Sequence, residues 1–136
     1  MNQFPSDAHL SSWAGISPGN NESAGKRYSG RITPGNKWLK ASLVEASWAA
    51  SRTKNTYLKA RYHRLAARRG KKRALVAIGH KILIMLYHII KEQGTYWELG
   101  SDYFERLNEQ AIIKRLTARI EILGYQVAIT KTEIAA

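Results

Sequence analysis

The stretch ALVAIGHKILIMLYHII, residues 74–90, decides how the rest of the chain is read. An apolar run of this length is too long for an ordinary strand and predicts one helix, apolar nearly all round and buried among its neighbours. A membrane span is the rival. It is disfavoured because a span needs about 20 apolar residues with few charges, whereas this run contains His80, Lys81 and His88. Gly94 stops the helix, which is expected from about residue 72 to residue 93.

Working outward, the neighbours read as helices that could pack against it. Upstream, residues 56–69 place Leu58, Tyr62, Leu65 and Ala66 on one face and end at Gly70. Before that, Pro34 suits the first turn of a helix running to about Arg52, with Leu39, Leu43, Ala46 and Ala50 at helical spacing. Near the N-terminus Ser6 can cap a short helix over residues 7–14, closed by Gly15 and Pro18. Downstream, residues 108–123 carry the stripe Ile112, Ile113, Leu116, Ile120 and Leu123, and YQVAIT at 125–130 reads as one strand. The expected fold class is therefore mainly α. It is a compact bundle of about five helices with a long Gly-rich loop near the N-terminus and a short C-terminal strand. We expect a single domain over residues 1–136: the glycine-rich loop at 15–35, a basic helical core at 36–94, and the C-terminal helix and strand at 95–136.

Composition narrows the function classes. The 136 residues contain no cysteine, which excludes disulfides and thiolate zinc sites. No cationic start precedes an apolar run at the N-terminus, so no signal peptide is read and the expected location is cytoplasmic. The net charge of +12 is the unusual quantity, and such an excess points to polyanionic partners. Its distribution sharpens the point. From Lys26 to Lys81 there are 16 Lys and Arg against one acid, Glu45. Arg61, Arg64 and Arg68 recur at helical spacing and continue towards Lys71 and Lys72 as one basic ridge. A merely solubilising surface would mix signs; like charges at this spacing cost helix stability, which an external polyanion offsets. Contact with a nucleic-acid backbone is the favoured reading, with association to an anionic membrane surface a weaker one. Aromatic residues lie between these cations. Trp48 and Tyr62 are expected in the core, while Tyr28 and Trp38 stay open between core packing and base stacking.

Most catalytic signatures are missing. His9, His63, His80 and His88 are not spaced as metal ligands, and the Gly-Lys-Ser/Thr ending of a phosphate-binding loop is lacking. The acids are scattered, so no metal site is expected in this chain. Within PGNNESAGKRYSGRITPGN, residues 18–36, Ser23 stands out. On residue type alone it is a turn or capping residue. Yet Gly19, Gly25 and Gly30 let backbone amides approach a phosphate, and Lys26, Arg27 and Arg31 could neutralise one. A serine oxygen attacking a phosphodiester needs such surroundings. Residues 26–33, KRYSGRIT, suggest a short ribbon.

Residues 4–50 resemble the C-terminal transposase domain of the insertion sequence 110/116/902 family. The residues that carry the resemblance are Trp13-Ala14-Gly15-Ile16-Ser17-Pro18, Ser23-Ala24-Gly25-Lys26, Gly30-Arg31-Ile32-Thr33, Gly35-Asn36 and Trp38-Leu39-Lys40. Ala24 stands where Gly is common, Pro34 where a basic residue is common, and Lys40 where Arg is usual. The resemblance implies that Ser23 is the recombination nucleophile, forming a phosphoserine link to DNA. It also implies a RuvC-like domain whose acidic residues bind Mg2+, a guide RNA, and a homo-oligomer with composite sites.

The expectations follow. The chain is the DNA-binding C-terminal part of a transposase, a fragment inactive alone, with Ser23 catalytic and Lys26, Arg27, Arg31, Lys37, Lys40, Arg61, Arg64 and Arg68 DNA-binding. It holds no cofactor itself, Mg2+ being expected only with the missing acidic domain, and it does not engage a membrane. The alternative is a non-catalytic, basic nucleic-acid-binding remnant of a truncated transposase gene.

Overall fold

The computed structural model describes residues 3–19 and 21–130, and for Asn21 and Arg27 the backbone alone. Among them the order is α1 (Asp7–Trp13), a hairpin of β1 (Asn21–Ser23) and β2 (Lys26–Ser29), α2 (Lys37–Arg52), α3 (Tyr57–Arg69), α4 (Lys71–Glu92), α5 (Tyr103–Leu107) and α6 (Glu109–Ile122). The fold class is mainly α, as expected. The chain divides into two compact units, one through Ser101 and one from Asp102.

In the first unit α4 is the common partner of α1, α2 and α3. Its buried positions are Ala74, Ile78, Gly79, Leu83 and Tyr87. They recur three or four apart, so the helix buries a stripe, not its whole circumference. Leu86 and Ile90 are exposed, which corrects the expectation of a helix buried nearly all round. By length and composition alone Lys71–Glu92 could cross a membrane; here its apolar stripe faces other helices. Leu83 and Tyr87 pack with Leu10, Ala14, Ile16 and Leu43, while Ala74 and Ile78 pack with Tyr62. Tyr62 is thus in the core, as expected. The Tyr87 hydroxyl donates to the Phe4 carbonyl at 3.0 Å and accepts from Lys91 Nζ at 3.1 Å, fastening the N-terminal segment to α4.

α2 starts later than expected. Asn36, not Pro34, begins it: the Asn36 side chain accepts from the Leu39 amide at 3.0 Å, capping the first turn. Its inner face also differs. Leu43, Ser47 and Ser51 are buried while Ala46 is exposed. The serines hide their hydroxyls by donating to the Leu43 and Trp48 carbonyls at 2.6 and 2.7 Å, so their burial leaves no polar group unsatisfied. A small side chain at Ser47 also suits the close approach of α4, because a Cβ on Gly79 would lie 3.0 Å from Ser47 Oγ.

α3 is capped by Thr56, whose hydroxyl accepts from Lys59 N. Its first amide, Tyr57 N, donates instead to Glu98 Oε1 at 2.8 Å, from 41 residues downstream. Burial by itself would raise the Glu98 carboxyl, but hydrogen bonds from Tyr57 N, the Tyr96 hydroxyl, Gly100 N and Leu99 N outweigh it and hold it below the ordinary carboxylate range. The Tyr96 phenol, partly buried and bound to that carboxylate, is pushed up to about 12.

In the second unit α6 covers most of the expected helix, and α5 before it was not anticipated. None of the residues in either helix is buried. Leu116 and Ile120 are 50% and 41% exposed, so the α6 stripe is not core. Residues 125–130 form no strand; an isolated extended segment without a ladder partner has nothing to satisfy its amides except solvent.

Candidate nucleic-acid interface

Residues 15–35 form a loop pinched shut at its neck. Gly15 follows α1 with φ +66°, and a Cβ placed on it would lie 2.6 Å from the Gly35 amide nitrogen. The reverse holds too: a Cβ on Gly35 would run into Gly15 and Ala14 backbone. Two main chains therefore cross with no side chain between them. Further up, Gly19 lies against the Arg31 carbonyl, closely enough to exclude a Cβ there as well. Lys40, on the first turns of α2, reaches back to donate to the Thr33 carbonyl at 3.3 Å. Part of its ammonium is thus devoted to holding the exit of the loop.

Beyond the neck the loop ends in the hairpin. The partners are Ser23↔Lys26, Glu22↔Arg27 and Asn21↔Ser29, with an irregularity between Asn21 and Glu22. Only Ala24 and Gly25 link the strands, and both have positive φ, 50° and 75°. That is the requirement of a two-residue type I′ turn. The ribbon suggested for residues 26–33 is real in its first half, and its partner is the segment that carries Ser23. Ser23 consequently sits at the tip of a hairpin, exposed, with exposed Lys26 directly across. Arg31 lies just past β2, exposed, its amide donating to Ser29 Oγ at 3.1 Å. The Arg27 side chain lies outside the described residues.

The remaining cations divide in two. Lys37 is exposed, with its Nζ 5.5 Å from the centre of the Trp38 ring. On α3, Arg64 and Arg68 are exposed. Arg61 is different: half-buried, it donates from Nη1 to the Tyr57 hydroxyl at 3.1 Å, and its Nε is enclosed without a partner. Arg61 therefore props the start of α3 as much as it faces outward. Nearby, His80 is held below the ordinary imidazole value of 6.5, chiefly by burial; Asp7 opposes this, and Arg61 and Lys81 reinforce it.

Sequence reasoning missed one component. Trp48, expected in the core, is 48% exposed. The Arg52 guanidinium lies 3.9 Å from its ring centre. The i, i+4 spacing of Trp48 and Arg52 was the available signal. Trp38 and Tyr28, left open, are 74% and 66% exposed.

A cleft of about 350 Å³ between α2, α3, α4 and residues 96–98 is lined mainly by apolar side chains, including Leu58, Ile82, Met85 and Ile89. Its one carboxylate, Glu98, is already engaged by its neighbours. Among the described residues no three His, Asp or Glu side chains come together as metal ligands. The residues present do not fit a magnesium site.

The profile of the Transposase IS116/IS110/IS902 family matches residues 1–63. No curated protein and no solved structure matches the chain. The matched segment contains the neck, the Ser23 hairpin, α2 and the first half of α3.

Proposed function

Residues 1–63 match the profile of the Transposase IS116/IS110/IS902 family, and we propose that this chain is part of such a transposase, binds DNA and supplies Ser23 as the nucleophile of strand transfer. The observation that carries the reading is the presentation of Ser23. It stands exposed at the end of a two-residue turn, on a loop anchored by the Gly15–Gly35 crossing, with Lys26 opposite. Such a hairpin can enter the groove of a duplex while its base stays fixed. The Ser23 Oγ–phosphorus bond forms as one phosphorus–oxygen bond to a sugar breaks, and the hydroxyl proton is matched by the proton the departing sugar oxygen takes up. Lys26, Arg27 and Arg31 would offset the phosphate charge. Lys37, Lys40, Arg61, Arg64 and Arg68 extend the same positive field to the flanking backbone.

The acidic residues such a reaction recruits, and the Mg2+ they bind, would come from a RuvC-like domain outside these residues. The site is then composite, assembled in a homo-oligomer and directed by a guide RNA, in the cytoplasm. The lack of a ligand cluster among the described residues equally favours the second reading, a basic binder that performs no chemistry.

One experiment separates them. The chain is mixed with a separately expressed family RuvC-like domain, guide RNA, Mg2+ and labelled DNA, and a denaturing gel is scored for protein–DNA adduct. An adduct lost in Ser23→Ala while binding persists supports the nucleophile. Salt-sensitive binding without adduct leaves the binder.

A further inference from the structure

We propose that the outer face of α2 is a stacking platform for unpaired bases, with Trp38 and Trp48 as its two contacts. The inference deepens the nucleic-acid reading above and rests on it, but it comes from a different surface and a different chemistry. All four tryptophans are about half exposed or more, Trp13 and Trp97 included; Trp38 and Trp48, 74% and 48% exposed, differ in sharing one helix. Each is also paired with a cation, Lys37 at Trp38 and Arg52 at Trp48.

The geometry suits a single strand. Ten residues separate the two rings, which puts them about 15 Å apart along the helix and about 80° apart around its axis. Between them the exposed side chains are Ala41, Ser42, Glu45 and Ala46; Ala41 and Glu45 lie in the arc that joins the two rings, with Ser42 and Ala46 beside it. That leaves a shallow strip with an aromatic post towards each end, wide enough for several nucleotides with the end bases on the rings. Every base has a π-face, so such a platform is tolerant of sequence.

The occupant follows from charge. An apolar protein partner would gain nothing from Lys37 and Arg52 over the rings, whereas a phosphate chain is attracted by both. Glu45 is the one acid from Lys26 to Lys81, against 16 Lys and Arg, so the field over this face remains positive. Position adds to the argument. Trp38 stands three residues beyond Gly35, where the pinched loop ends, so a strand lying on α2 continues from the Ser23 loop. A duplex, whose bases are already stacked on one another, has no free face to offer the rings.

The test measures binding of the full chain to labelled single strands of about 20 nucleotides, oligo-dT and oligo-rU, and to a duplex of the same length. Wild type is compared with Trp38→Ala, Trp48→Ala, Trp48→Phe and, as a control from another segment, Trp97→Ala. Stacking on tryptophan predicts that each alanine variant on α2 loses about 5-fold to 150-fold in affinity for a single strand. Duplex affinity should fall by less than about 3-fold, Trp48→Phe should recover part of the loss, and Trp97→Ala should match wild type. Loss in the oligo-dT arm alone identifies DNA, and in the oligo-rU arm alone RNA; either supports the platform. Equal losses for single strand and duplex, or no loss, overturn it while leaving the nucleic-acid reading in place. Wild type that binds no nucleic acid at all overturns both.

Discussion

Gly15 and Gly35 touch backbone to backbone, 20 residues apart in sequence. Neither position tolerates a side chain, and Gly15 also needs the left-handed backbone. Gly15→Ala should therefore destabilise the first unit by about 2–4 kcal/mol, combining left-handed strain with a forced separation of the two chains. Gly35→Ala should cost about 1–3 kcal/mol from crowding alone. Gly25→Ala is the control, since nothing lies near its Cβ position; its turn strain is worth about 1 kcal/mol. Denaturant midpoints for the three variants should fall in that order.

The turn itself holds a correctable strain. Ala24 occupies φ 50°, a conformation glycine adopts without penalty. Ala24→Gly should tighten the hairpin by about 1 kcal/mol, seen as slower hydrogen exchange of the amides paired between β1 and β2. Unchanged or faster exchange would show that the turn does not limit the hairpin.

Those two predictions rest on features that were unequally legible. Ser6 and Gly15 marked the limits of α1, and Tyr62 with Leu58 marked the inner face of α3, because caps and apolar periodicity are local signals. Ser47 and Ser51 were not legible as core. A hydroxyl reads as polar until its donation to the preceding turn is seen. Trp48 failed in the opposite direction: its hydrophobicity argued for burial, and only Arg52 one turn away hinted otherwise. The crossing of Gly15 and Gly35 was beyond reach, since glycines in a loop do not announce which other backbone they meet. The strand expected at 125–130 failed because a lone strand needs a partner that alternation cannot supply.

Acid should weaken the first unit through His80. Its folded pKa is depressed, so above pH 6.5 both folded and unfolded forms are neutral and nothing is gained or lost. As pH drops below 6.5 the unfolded chain takes up a proton that the folded chain resists, and stability declines until the folded pKa is passed. Comparing urea midpoints at pH 7.5 and pH 5.5 in wild type and His80→Gln should show a smaller decline in the variant. Glu98, held below 4.5, loses its contribution only in more acidic solution.

Salt should stabilise the chain. Gly70 alone separates α3 from α4, and around it stand Arg68, Arg69, Lys71, Lys72 and Arg73. The arginines ending α3 suit its dipole, but the three cations opening α4 oppose that helix's dipole, and no side chain caps it. Raising NaCl from about 0.02 to 0.5 M shortens the screening length from roughly 20 Å to below 5 Å. The melting temperature should rise by several degrees, and less so in Lys72→Gln. A fall in melting temperature with salt would contradict this account.

Tyr87→Phe should cost about 1 kcal/mol. It keeps the ring in the core and removes only the bond to the Phe4 carbonyl and the acceptor for Lys91. Chemical denaturation is the measurement, with Lys91→Ala expected to have a smaller effect.

The Tyr57–Glu98 hydrogen bond has a consequence for the order in which the protein is made. A ribosome delivers Tyr57 long before Glu98, so the opening turn of α3 waits, its amide without the carboxylate, while the whole of α4 is synthesised. In the folded first unit residues 96–98 return to the opening turn of α3 and line the cleft beside α2 and α4. A chain arrested just short of Glu98 would keep the apolar packing of α1 to α4 but lack the acceptor for Tyr57 N.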